Sequence, residues 1–146
     1  MKTKHIVYTI EPINLSAHHF KVTCEVIRPD PLGQCFALPA WIPGSYMIRN
    51  FARNILSISA QSAGKSVLLT KIDKHTWQAA PVKTEKSLFV SYEVYAFEFS
   101  VRHAYLDERL AFFNGTSVFL RVIGNESLPC LVDIRPPASL PSGQWQ

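Results

Sequence analysis

The residue types best suited to binding or catalysis gather in one stretch, Leu38–Asn54, where Trp41, Tyr46, Arg49 and Arg53 flank Pro43-Gly44. Proline presets the first central position of a type II turn, and Gly44 would supply the positive φ at the second. A rigid loop follows, carrying two aromatic faces and two guanidinium groups. Arginine grips a carboxylate through two parallel hydrogen bonds, so the loop suits a carboxylate-bearing ligand. It equally suits a structural role, with Trp41 and Tyr46 packed on the body and Arg49 and Arg53 tying loops to it. Nucleophilic chemistry has less to work with. Gly44-Ser45 lacks the G-x-S-x-G frame of a strained nucleophile turn. Cys24, Cys35 and Cys130 are odd in number and show no C-x-x-C spacing, which indicates neither a disulfide framework nor a zinc ribbon. Cys24 shares one side of the alternating run Phe20–Val26 with Phe20, Val22 and Val26, the place of a small buried hydrophobe.

Elements that position such residues must come from a chain of 146 residues, 47% apolar and 18% charged. That length suits one domain with its own core, and the charged fraction lies below the usual ~25%. The net charge of +4 raises the question of nucleic acid. However, Lys2, Lys4, Lys71, Lys74, Lys83 and Lys86 are scattered, with Glu85, Glu93, Glu98, Asp107 and Glu108 among them. A phosphate track needs cations on one stripe, so a nucleic-acid partner is not expected. The apolar run Ile6–Ile10 is too short for a signal peptide, and no stretch has the ~18–20 residues of a membrane helix. A cytoplasmic protein is the expectation.

Period-two alternation dominates. It predicts strands at 5–10, 20–27, 34–38, 54–60, 66–72, 76–79, 87–99, 117–123 and 130–134. Turn chemistry separates them at Pro29–Gly33, Ala63-Gly64, Asn114-Gly115 and Gly124-Asn125. The expected fold is all-β, an antiparallel sandwich of two packed sheets with at most one short helical turn, near Ser45–Ala52. Residues 87–99 are apolar on both faces, which marks a central strand or one that meets another domain. The domain should span 1–135, and the prolines of 136–146 should form a stiff linker toward a further domain.

With these residues in view, the sequence resembles the glycyl aminopeptidase family of zinc peptidases. The likeness rests on the tryptophan–proline–glycine–serine–tyrosine block of Leu38–Asn54, then Lys71–Trp77, Tyr92–Ala96, Ser100–Asp107 and Phe113–Leu120. It covers most of the chain, from about Tyr8 to Pro136. The resemblance implies an N-terminal β domain placed before a thermolysin-like catalytic domain and a PDZ domain. Such enzymes hold zinc with H-E-x-x-H on a helix, and no His-Glu pair exists here. His18 and His19 would point to opposite faces of a strand, and His5, His75 and His103 stand far apart. The resemblance therefore implies no catalytic or metal residue in these 146 positions and no peptide hydrolysis by them alone. Zinc is expected in the catalytic domain.

On that basis the domain packs beside the catalytic domain and shapes one wall of a peptide-substrate cleft. Candidates for the wall are Arg102, Tyr105, Asn114, Gly115 and Thr116; Asn-Gly is also a plain hairpin-turn signal. Trp41, Gly44, Tyr46, Arg49 and Arg53 become candidates for the domain interface or for structuring the loop. The rival reading is a stand-alone sandwich that binds carbohydrate or peptide through Trp41, Tyr46, Trp77 and Tyr105. A third is an interaction module whose strand edge accepts a partner strand. With a face left uncovered, the isolated piece should self-associate.

Overall fold

In the alternating run that follows His19, the side chains of Phe20, Val22, Cys24 and Val26 are buried while Lys21, Thr23 and Glu25 are not. The same two-residue period organises nearly every element of the computed structural model, which describes residues 6–38, 51–83, 85–97 and 104–137. Its strands are β1 (Ile6–Asn14), β2 (His19–Val26), β3 (Cys35–Ala37), β4 (Ile55–Ser62), β5 (Lys65–Val67), β6 (Leu69–Lys71), β7 (Thr76–Ala79) and β8 (Leu88–Tyr95). After them come β9 (Ala104–Leu106), β10 (Ala111–Phe113), the one-turn helix α1 (Gly115–Val118), β11 (Arg121–Val122) and β12 (Cys130–Ile134).

One sheet has the order β12-β1-β2-β8-β4-β5, a second β11-β3-β7-β6, and β9 pairs with β10 in a small hairpin. The expected all-β sandwich forms, antiparallel except for the edge pair β12–β1, which is parallel. Inward residues of both sheets join in one core: Ile6, Ile10, Phe20, Leu88 and Tyr92 from the larger, Phe36, Trp77, Ala79 and Val122 from the smaller. Each such aliphatic or aromatic side chain contributes roughly 1.5–3 kcal/mol by leaving water. Gln34, 1% exposed, is one of two buried polar residues among those described, with Ser62, and it is satisfied. Its Oε1 accepts from Asp30 N–H (3.0 Å), and its Nε2 donates to the carbonyls of Ile123 (2.9 Å) and Cys35 (3.0 Å). It thereby ties the turn before β3 to the turn after β11.

Several expectations need correction. Residues 66–72 are not one strand but two, β5 and β6, placed in different sheets on either side of Leu68. Residues 117–123 are not a strand throughout. Phe119 N–H closes on Gly115 O (2.9 Å) to form α1, and only Arg121–Val122 is extended. Asn114-Gly115 is not a hairpin turn; Gly115 opens that helix instead. Strand β8 stops at Tyr95, with one isolated bridge from Phe97 to Tyr105. The hairpin β9–β10 was not foreseen. Of the expected helical turn, 45–50 lie outside the described residues, and Phe51–Asn54 form a 3-10 turn. No helix among the described residues is long and apolar enough to cross a membrane.

Candidate functional site

Hairpin β9–β10 carries the described wall candidates. Its register pairs Tyr105 with Phe112 and Ala104 with Phe113, so β10 delivers Asn114 and Gly115 beside the start of β9. The connecting loop is closed by Asp107, whose Oδ1 accepts from the N–H groups of Arg109 (2.7 Å) and Leu110 (2.9 Å). Those two amides, with the Tyr105 hydroxyl, hold the Asp107 carboxyl below the usual carboxylate range. The Tyr105 hydroxyl donates to Asp107 Oδ2 (2.8 Å), and this bond raises the phenol pKa. Asp107 also lies 3.9 Å from the Arg109 guanidinium, a solvent-exposed contact of little energetic weight.

The α1 end of the hairpin is anchored from below by two core tyrosines. Tyr92 Oη donates to Val118 O (2.6 Å) and accepts from Leu120 N–H (3.1 Å). Tyr8 Oη donates to Leu120 O (2.6 Å). Thus both backbone groups of Leu120, which belongs to no strand ladder, are satisfied by phenol hydroxyls from the large sheet. Gly115 has no positive φ, and its surroundings are close. A Cβ at that position would come within 3.3 Å of the Phe119 ring, and Phe119 is itself wedged against Tyr8 (4.9 Å) and Phe113 (5.6 Å).

Beside Tyr105 runs a row of rings. His18 stacks on Phe97 at 4.0 Å, Phe97 on Tyr105 at 5.6 Å, and Tyr105 on Phe112 at 6.4 Å. Tyr95 joins it at 6.4 Å from Phe97. Phe97 is 53% and Tyr95 38% exposed. The row is held by the backbone: Ala96 N–H donates to His18 O (2.7 Å), Leu106 N–H to Ala96 O (2.8 Å), and His18 Nδ1 to the Leu106 carbonyl. A carbonyl can only accept, so Nδ1 carries the proton when the ring is neutral. His18 holds φ at 64°, a left-handed conformation uncommon for a residue with a Cβ. The result is a rigid platform of ring faces next to the amide-bearing Asn114. It can bind and orient an apolar or peptidic group.

Register sets Tyr105 opposite Phe112, two residues before Asn114, and Gly115 and Thr116 lie on α1. Arg53 is exposed on the 3-10 turn before β4, and register sets it at the end of the large sheet where β8 runs out. Trp41, Gly44, Tyr46, Arg49 and Arg102 lie outside the described residues. Trp77 is 5% exposed, so its ring packs in the core and offers no face to a ligand; that part of the carbohydrate-binding expectation is corrected. Sequence reasoning missed His18, Phe97 and Phe112 as members of the row. The signal was the two-sided apolar pattern of 87–99: it marks β8 as a central strand, which it is, or as one that meets another domain, but does not reveal that Phe97 lies beyond the strand in an exposed row. Among the described residues no three His, Cys, Asp or Glu side chains form a group able to hold a metal ion.

Residues 7–146 match the peptidase M61 N-terminal domain. The chain belongs to that family. An aminopeptidase N family protein from Idiomarina loihiensis shares its structure with a TM-score of 0.87 at 42% identity, over 91% of this chain and 22% of that one. An M1 zinc metallopeptidase from Deinococcus radiodurans aligns with a TM-score of 0.53 at 12% identity, over 92% of this chain and 31% of that one; at such identity the likeness is one of fold. The M61 domain therefore spans less than a third of the length of these solved proteins. No curated protein matches the sequence.

Proposed function

We propose that this M61 N-terminal domain is the non-catalytic β domain of a zinc-dependent aminopeptidase with the organisation of the glycyl aminopeptidases. In this account it covers residues 1–135, packs on the catalytic domain of the same polypeptide, and hands the chain on through 136–146. The end formed by β9, β10 and α1 serves as one wall of the substrate cleft. The observation that carries the proposal is the exposed ring row beside the hairpin, held by backbone bonds among His18, Ala96 and Leu106, with the neighbouring α1 segment anchored by two buried tyrosines. A wall needs fixed contact faces, and that is what this end offers. Zinc does not fit the described residues; in this account the metal and the water it activates belong to the catalytic domain. Tyr105 and Phe97 would pack against a substrate side chain and Asn114 would meet a peptide amide; Arg102, Gly115 and Thr116 are the remaining candidates for this wall. Arg53, with Trp41, Gly44, Tyr46 and Arg49, is assigned to the interdomain side.

Substituting Tyr105→Ala or Asn114→Ala in the full-length protein tests this by steady-state peptidase kinetics. Loss of one ring or amide contact is worth roughly 1 kcal/mol, so KM should rise about fivefold while kcat changes less than about twofold. Unchanged KM in both variants would contradict the assignment of this end to the cleft. The same ring row also favours a second reading, a carbohydrate- or peptide-binding module acting without a catalytic domain. On β12, Leu131, Val132 and Ile134 are 57%, 47% and 58% exposed, and this edge is where isolated copies would self-associate.

A further inference from the structure

The two sheets separate at Leu68. Strand β5 is outermost in the six-stranded sheet and β6 outermost in the four-stranded one, so the chain crosses between two open edges through a single residue. Opposite them, residues 80–86 return from β7 to β8. Between these segments lies a cleft of about 400 Å³. Leu68, 72% exposed, lines it with Pro81 and Val82. Its charged lining is Lys65, Lys83 and Lys86, with no carboxylate among the lining residues. Lys86 N–H donates to Lys83 O (3.1 Å), so one tight turn sets both lysines at the same mouth. All three are exposed, and among the described residues none takes part in an ion pair, although Glu85 sits in the same turn.

We infer that this cleft docks an extended acidic peptide segment whose carboxylates alternate with aliphatic side chains. Charge selects the partner: three unpaired ammonium groups converge on one opening that holds no counter-charge. Shape selects the conformation, because among the described residues the outer edge of β5 has no strand beside it, and an added strand can pair there. Period two then puts alternate side chains on opposite faces, aliphatic toward Leu68 and Val82, acidic toward the lysines. A nucleic acid fits poorly. Its affinity grows with the number of phosphates neutralised along a track, and the nearby Lys71 instead places its Nζ over the Trp77 ring at 5.4 Å. The cleft stands apart from the proposed wall: β4 pairs Ser62 with Leu88 here, and Tyr95 lies about 23 Å away along β8.

Fluorescence anisotropy of a labelled peptide alternating Glu with Leu, titrated with the full-length protein, tests this. Binding should weaken about tenfold or more in a K65E/K83E/K86E variant, and comparably when salt is raised to about 0.5 M. Charge reversal of exposed side chains should leave the thermal midpoint unchanged, which separates lost docking from lost folding. A peptide with Lys in place of Glu should not bind. Absence of binding, binding unaffected by the triple variant, or stronger competition by a single-stranded oligonucleotide would each overturn the inference. So would a triple variant that aggregates without any change in peptide affinity, since the lysines would then serve only to deter edge pairing.

Discussion

The Tyr92→Phe protein is expected to lose about 2–4 kcal/mol of folding stability in chemical denaturation, although only one oxygen is removed. The Tyr92 hydroxyl is wholly buried; it satisfies Val118 O at 2.6 Å and Leu120 N–H at 3.1 Å. Phenylalanine fills the same volume but leaves both backbone groups buried without partners, each at roughly 1–3 kcal/mol. For a domain whose whole margin is about 5–15 kcal/mol, that is a large share. Its effect should also be local, loosening Gly115–Leu120 and so the seat of Asn114. A loss under about 0.5 kcal/mol would mean that these hydroxyls do not anchor the segment.

The same phenol has a pH signature. Burial raises the pKa of Tyr92, Tyr8 and Cys24 above their ordinary values. Below about pH 7.5 these groups are protonated in both the folded and unfolded chain and add no pH dependence. Above it the unfolded chain releases protons that the folded one retains, so stability falls as pH rises through about 9–10 and beyond. Tyr92→Phe should flatten that alkaline decline.

Gly33→Ala should be about as damaging, near 3 kcal/mol. Gly33 has φ at +118°, outside the range that side-chain-bearing residues adopt, and strain of this kind costs roughly 1–3 kcal/mol. An added Cβ would stand 2.8 Å from Ala79 O, a backbone atom that cannot swing away. Relief requires the turn to move, and the adjacent bond from Ala79 N–H to Gln34 O (2.9 Å) would be disturbed. Urea midpoints compare the variant with the parent. A shift no larger than that of an exposed-loop control such as Gly124→Ala, where a Cβ meets nothing within 4 Å, would show that the strain rather than the close approach dominates.

Strands β7 and β12 were legible to the residue: Thr76–Ala79 alternates, and Cys130–Ile134 is a short, mostly apolar run between clear boundaries, although all of it is exposed. The two-residue period of Val118, Leu120 and Val122 was visible within the expected strand 117–123, and all three are buried. Their backbone was not. Whether this stretch coils or extends is decided by phenol hydroxyls 28 and 112 residues away in sequence, and no local pattern carries that information. The break at Leu68 is hidden for a different reason. Val67 and Leu69 stay half-buried and Leu68 exposed across it, so the alternation runs on while the chain changes sheet. Asn114-Gly115 misled because glycine serves two needs, positive φ and close approach, and here Gly115 has no positive φ and lies close to Phe119. The ring platform escaped notice since it is assembled from the turn before β2, the end of β8 and a hairpin of three-residue strands.

The proposal that these residues scaffold a reaction performed elsewhere on the polypeptide is tested most directly by metal analysis and aminopeptidase assay, run in parallel on the full-length protein and on residues 1–146. The account predicts about one zinc per chain and hydrolysis of peptide substrates in the full-length protein, with neither in the shorter one. Stoichiometric zinc or peptide hydrolysis by residues 1–146 alone would contradict it.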